Sequence, residues 1–251
     1  MGKVYLIGAG PGAADLITVR GMRLLEQADV VLHDALIEPA MLDYAPNAKK
    51  IAVGKRYGQR STAQHFINKQ IVDAALEHGI VVRLKGGDPM LFGRADEEMR
   101  ALEAAGIEFE VVPGITAALA SAAALQRSLT LRGVSRSVAL ATYSRAADSD
   151  EIREHASADS LVFYMGRDSA PEIAKQLIDA GRAGSTPVAI VEACSTPRER
   201  MLTLTLAQMA LGEAQEWLDP TQPSLLMIGE AFRERVSSVK PKVHLKGMMA
   251  A

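Results

Sequence analysis

Short β-branched runs separated by segments of helical length pattern the first half of the chain, and that alternation narrows the folds open to it. KVYLIG (3–8), DVVLH (29–33), KKIAV (49–53), IVVRLKG (80–86) and FEVVP (109–113) read as strands. Between them Val19, Met22, Leu25 and Ala28 recur at helical spacing. So do Phe66, Ile67, Ile71, Ala74 and Ala75, followed by Met99, Leu102 and Ala105. Gly79 and Gly106 are placed to close the later two helices at C′, where a positive φ is expected. Strands linked by helices cross over and pair in parallel, which predicts a buried, mostly parallel sheet.

After Pro113-Gly114, the Ala-rich ITAALASAAAL predicts a helix with small faces for close packing. SVALAT (137–142), LVFYM (161–165), PVAIVE (187–192), RMLTLTL (200–206) and SLLMIG (224–229) read as further strands, with helical patterns at 169–180 and 206–217. The two halves are expected to share a layout, though not a sequence. The fold class is therefore α/β: two α/β domains with a ligand cleft between them. The expected division is 1–114, 115–240 and a tail at 241–251 with no clear period.

With 251 residues, 48% of them hydrophobic, the chain has ample material for such cores. Its 28 Lys and Arg against 30 Asp and Glu argue against coating nucleic acid through overall charge. Basic residues still cluster at Lys55-Arg56 with Arg60 and at Arg83-Leu84-Lys85, as a local anion site or a solvated surface. Cys194 is the only cysteine, which excludes an internal disulfide and a cysteine-based metal cluster. Nothing shows metal-ligand spacing, and no metal is expected. Neither a signal-peptide pattern nor a membrane-length apolar run is present, so a cytoplasmic protein without membrane contact is expected.

One motif competes for a different function. Gly8-Ala9-Gly10-Pro11-Gly12-Ala13 satisfies the dinucleotide pattern, and Asp34 follows where a ribose-binding acid would stand. That site needs a helix starting at the third glycine, whereas here the helical period begins at Val19 with Thr18 as its N-cap. Pro11 also removes a backbone donor from the turn. A dinucleotide oxidoreductase is thus the weaker reading, and a non-catalytic ligand-binding protein is a second rival. RLKGGDPMLFGRADEE (83–98) and VVPGIT (111–116) follow later strands, and ligands of open α/β sheets sit beyond the carboxyl ends of the strands. Three glycine-bearing loops should therefore meet on one rim.

VYLIGAGPGAADLIT, ADVVLHDALI, VGKR, VVRLKGGDPMLFGR, EVVPGIT, LVFYMG and the TP at 196–197 together resemble the S-adenosylmethionine-dependent tetrapyrrole methyltransferases, over roughly residues 2–235. The likeness is strongest to the branch that methylates uroporphyrinogen III at C2 and C7 to give precorrin-2, on the way to sirohaem and cobalamin. A later precorrin methyltransferase is the alternative within the family. The resemblance implies S-adenosylmethionine as methyl donor, S-adenosylhomocysteine as product, and a homodimer. It implies donor contacts from Pro11, Gly86, Gly87, Asp88, Leu91, Thr116, Ala117, Met165 and Cys194, with the first domain on the substrate side and the second on the donor side. By the same resemblance Asp34 is the proton acceptor, Lys55 the proton donor, and Arg94 with Glu97 acts on the substrate side, though Asp34 could equally cap the next segment and Lys55 simply contribute positive potential. A guanidinium is a poor base, so Arg94 is expected to clamp or orient a carboxylate, with Arg56, Arg60 and Arg132 as further contacts. Asp88 has a plainer role open to it, an Asx-turn before Pro89, and Met165 could be core packing.

The chain departs from the family at five places. Leu131 stands where His is frequent, Tyr143-Ser144 where Gly-His is frequent, Ala95-Asp96 where two glycines are common, and Ala193-Cys194 where Asn-Gly is common. His33, before Asp34, replaces a frequent Tyr and is expected to be a packing or polar rim residue.

Overall fold

The computed structural model describes residues 2–35, 37–53, 64–143 and 157–233. Lys55, Arg56, Arg60, Ser144 and the expected tail at 241–251 lie outside them. The first sheet comprises β1 (Lys3–Gly8), β2 (Val30–His33), β3 (Lys49–Ala52), β4 (Ile80–Lys85) and β5 (Phe109–Val112). Their order is β3-β2-β4-β1-β5, and every pairing is parallel.

Strand alternation sorts side chains to two apolar layers. Val4, Leu6, Val30, Leu32 and Val81 pack with α3 (Gln64–Glu77) and α4 (Ala95–Ala104) through Ile67, Ile71 and Leu102. Ile7, Val31, Val82 and Leu84 pack on the other face with α1 (Val19–Glu26) and α2 (Pro39–Leu42) through Leu25 and Met41. Burial on both faces is why these strands read as continuous apolar runs.

Beyond α5 (Ala117–Ala124), the second sheet is built from β6 (Val138–Thr142), β7 (Ser160–Tyr164), β8 (Pro187–Glu192), β9 (Arg200–Thr205) and β10 (Ser224–Ile228). Its order is β6-β7-β10-β8-β9, and only β6–β7 is parallel. The expected common layout of the two halves is therefore corrected. Strand β10 inserts between β7 and β8 and runs antiparallel to both, while the short link from β8 to β9 makes that pair antiparallel as well. One face packs on α6 (Ala170–Asp179) and α7 (Leu206–Ala210) through Ile173, Leu177 and Met209; the other packs on Ala118 and Ala122 of α5.

Most local expectations agree with the structure to within a residue or two. Thr18 does cap α1, its hydroxyl accepting the Gly21 amide at 3.1 Å. Gly106 closes α4 with φ 66°, but Gly79 is not left-handed. Its amide instead donates to Asp29 Oδ2 at 2.9 Å. The helix expected over 206–217 ends at Ala210, where Gly212 turns the chain at φ 85°. Helix α2, with Pro39 at its first turn, was not expected.

Candidate active site

The three glycine-bearing loops meet at the carboxyl edge of the first sheet. Gly10 and Gly87 exchange backbone hydrogen bonds at 3.1 and 2.7 Å, and the Ala9 amide donates to Lys85 O. Gly8 and Gly114 touch so closely that a Cβ on Gly114 would lie 2.3 Å from Gly87 O and 2.8 Å from Gly8 Cα. Asp88 locks the arrangement. Its Oδ1 accepts the Met90 amide and its Oδ2 the Gly114 amide, both at 2.8 Å. The Asx-turn is thus present, and the same carboxylate bridges two rim loops.

After Gly12 the chain forms a single 3-10 turn (Ala14–Leu16) before α1 begins at Val19. No helix N-terminus faces the glycines, so the dinucleotide geometry is not formed. Gly12 and Ala13 instead meet the loop that follows β8 of the second sheet. The Ala13 amide donates to Ser195 Oγ at 3.0 Å, and an added Cβ on Gly12 would stand 2.7 Å from Thr196 Cγ2.

The opposing edge is shaped by two left-handed bends. Met165, at φ 55°, follows β7 and is 64% exposed, so it lies on the rim rather than in the core. Ala193 and Ser195, at φ 49° and 58°, flank the buried Cys194. An Asn at position 193 would suit that backbone better than Ala. Burial pushes the Cys194 thiol above its usual range. Behind the bend, buried Glu192 accepts Arg200 Nε and the Asp219 amide, both at 2.8 Å, anchoring the end of β8.

Tyr164 was not singled out from the sequence. Its hydroxyl lies 2.5 Å from Thr116 Oγ1 and accepts the Ala118 amide at 3.1 Å, satisfying the start of α5. Burial raises its pKa. Its ring meets Phe92 at 5.1 Å between centroids, so Leu91-Phe92-Gly93 of the first unit reaches the second. A phenol at the end of an apolar strand, apolar body inside and polar tip at the rim, was the available signal. Ala117 follows Thr116 at the first turn of α5.

Asp34 stands at the end of β2 and is 35% exposed at its side chain. Arg83 Nη2 donates to its Oδ1 at 2.5 Å and the Gly86 amide to its Oδ2 at 3.2 Å. His33 Nδ1 lies 3.1 Å from Asp34 O, a polar rim position. Beneath it, Glu98 Oε1 accepts Arg83 Nε and Lys85 Nζ, each at 3.0 Å. Arg83, Lys85 and Glu98 are buried, which corrects the solvated-surface reading of Arg83-Leu84-Lys85. Burial lowers the Lys85 pKa, with the Arg83 charge a second cause.

Arg94 takes φ 54° at the N-cap of α4 and holds Glu97 in a two-pronged pair, Nε–Oε1 at 2.7 Å and Nη2–Oε2 at 2.8 Å. That pairing raises the Arg94 pKa and holds the Glu97 carboxyl below its usual range. The clamped carboxylate is thus one of the protein's own. Leu131 and Arg132 are exposed on a turn after α5, apart from these contacts.

The rim suits a ligand laid against backbone. An added Cβ on Gly86 would meet nothing within 4 Å, and one on Gly87 only Thr116 Cα at 3.9 Å. Tight contact at Gly8 and Gly114 beside open backbone at Gly86 and Gly87 forms a cradle whose floor is fixed and whose face is free. A groove of about 670 Å³ along α5, lined by Thr116, Leu119, Gln126, Leu129 and Leu140, opens from the same region.

Relatives share this architecture. A uroporphyrin-III C-methyl transferase from Thermus thermophilus, complexed with S-adenyl homocysteine, matches with TM-score 0.82 at 38% identity, covering 95% of this chain and 98% of that one. A cobalt precorrin-4 methyltransferase, a cobalamin biosynthetic enzyme, matches with TM-score 0.81 at 29% identity, covering 92% and 96%. The siroheme synthase of Psychrobacter cryohalolentis is 44% identical over 234 residues, 92% of this chain and 44% of that protein. That of Stutzerimonas stutzeri is 44% identical over 239 residues, 94% and 51%. The chain therefore spans about half the length of the curated relatives it matches. Residues 3–210, from β1 through α7, match the pattern of one family. With its parallel first sheet, its mixed second sheet and the glycine rim facing both, the chain belongs to the tetrapyrrole (corrin/porphyrin) methylases.

Proposed function

We propose that this chain transfers methyl groups from S-adenosylmethionine to C2 and C7 of uroporphyrinogen III, giving precorrin-2 for sirohaem or cobalamin-type synthesis. The observation that carries the reading is its likeness, across nearly the whole length of both chains, to the Thermus transferase complexed with S-adenyl homocysteine. In the same reading residues 1–114 form the substrate-side domain, whose glycine rim also meets the donor, and 115–240 the donor-side domain, working as a cytoplasmic homodimer.

The donor brings a methyl group activated as a sulfonium. The pyrrole carbon attacks it, the new C–C bond forms as the C–S bond breaks, and a ring proton leaves afterwards. The protein's work is alignment, exclusion of water and acceptance of that proton. Gly86 and Gly87 present open backbone to the donor, with Pro11, Asp88, Leu91, Thr116, Ala117, Met165 and Cys194 around them. Asp34, part-exposed beside Gly86, accepts the proton. Lys55 is the proton donor in this reading, and Arg94, its direction fixed by Glu97, acts on the substrate side.

Mass analysis of the product made from uroporphyrinogen III and S-adenosylmethionine tests the proposal, with two methyl additions expected. No addition while S-adenosylhomocysteine still binds would move the assignment to a later precorrin methylation. The likeness to the cobalt precorrin-4 methyltransferase supports that as second reading.

A further inference from the structure

Below the rim lies a buried charged network that the proposed chemistry does not by itself use. The Arg83 side chain is 2% exposed, and all three of its guanidinium nitrogens are engaged. Nε donates to Glu98 Oε1 at 3.0 Å, Nη1 to Leu84 O at 3.1 Å, and Nη2 to Asp34 Oδ1 at 2.5 Å. Glu98 is fully buried on α4, and the same oxygen also receives Lys85 Nζ at 3.0 Å. Among the described residues its Oε2 has no hydrogen-bond partner. The buried part holds two cations and one carboxylate, and the second carboxylate, that of Asp34, meets Arg83 from the rim.

A planar fork locked at two edges can hold a third group at one fixed point, and a flexible ammonium cannot. The third group here is Asp34, the one member of the network that reaches solvent. We propose that Arg83, braced from below by Glu98, is the positioning residue that fixes the Asp34 carboxylate at the rim. Asp34 then keeps its second oxygen at the Gly86 amide, beside the open glycine backbone. The inference rests on the reading of Asp34 as the proton acceptor. The network itself is a geometric fact independent of that reading. Arg83 touches no reacting atom and acts through Asp34. Misplacement of a reacting group by an ångström costs on the order of a hundredfold in rate.

The test is a double-mutant cycle on the full chain with Arg83→Lys and Asp34→Asn. Arg83→Lys keeps the charge but cannot reach Glu98 and Asp34 together. Its kcat should fall about ten- to a hundredfold, with the S-adenosylhomocysteine Kd within about twofold of wild type. In the Asp34→Asn background the same change should cost nothing further. In glycine-labelled protein, the Gly86 amide resonance should move in Arg83→Lys toward its place in Asp34→Asn. Losses that multiply in the double variant, or a Gly86 amide that stays put, overturn the proposal. If Arg83→Lys does not fold, Glu98→Gln takes its place, with a smaller kcat loss that again vanishes in the Asp34→Asn background. If wild type itself fails to methylate uroporphyrinogen III, the functional reading falls. The positioning claim is then decided by the Gly86 amide alone.

Discussion

The Gly114 amide donates to Asp88 Oδ2 across 2.8 Å, joining loops 26 residues apart in sequence. Asp88 thereby shapes the cradle from inside the protein. Replacing it with Ala removes that bond and the turn bond to Met90 together. Loss of a hydrogen bond to a charged group costs roughly 1.5–3 kcal/mol, or about ten- to a hundredfold in affinity if it falls on the donor site. Titration calorimetry of Asp88→Ala with S-adenosylhomocysteine should show that weakening. An unchanged Kd in a folded variant would confine Asp88 to turn formation.

Two glycines of the same rim should respond in opposite ways to alanine. At Gly114 the methyl would meet Gly87 O at 2.3 Å, backbone that cannot step aside, so both stability and donor binding should fall. Overpacking of this kind costs about 1–3 kcal/mol. At Gly86 nothing lies within 4 Å, so the variant should melt like wild type yet bind S-adenosylhomocysteine poorly. Equal donor affinity in Gly86→Ala and wild type would remove that open backbone from the donor site.

Arg94→Lys should slow methyl transfer while donor affinity holds. An ammonium cannot keep the two-pronged grip on Glu97, and the Glu97 carboxylate would lose its fixed direction. Because that pairing depresses the Glu97 pKa, any stability it lends is present above the ordinary glutamate pKa. It disappears as pH falls through the depressed value. Thermal midpoints of wild type and Arg94→Gln should therefore differ most near neutrality and converge in acid. Steady-state rates equal within error would dismiss Arg94 from the site.

Alkylation of Cys194 should be slow at neutral pH and accelerate only above the ordinary thiol range, since burial disfavours the thiolate. Saturating S-adenosylhomocysteine should slow it further if the 193–196 bend faces the donor. Rapid labelling of native protein at neutral pH, equal to that in denaturant, would contradict the buried placement.

Much of this was legible in the residues, because strand limits and the Thr18 cap depend on local pattern. Convergence of the three loops was legible too, since parallel strands send their carboxyl ends to one edge. Strand pairing in the second half was not, because β10 finds β7 and β8 through contacts that no local period encodes. The burial of Arg83 was hidden for the same reason: its carboxylate partners lie 15 and 49 residues away. Position 79 misled because a helix can end without a left-handed residue when the amide that such a turn would return to a helix carbonyl donates instead to a distant side chain, here that of Asp29.

The strand order β3-β2-β4-β1-β5 also dictates how this molecule can come off a ribosome. Strand β1 is made first, yet its hydrogen-bonded neighbours are residues 80–85 and 109–112. An apolar ribbon therefore waits, unpartnered, until β4 has been synthesised and can wedge between β1 and β2. Pairings of such long sequence separation are slow to form and expose sticky edges meanwhile. Gly8 waits longer still, for Gly114. The nascent chain thus holds a nearly complete first sheet before it holds any ligand cradle, and shielding by a chaperone during that interval would matter more than for a fold built from neighbouring hairpins.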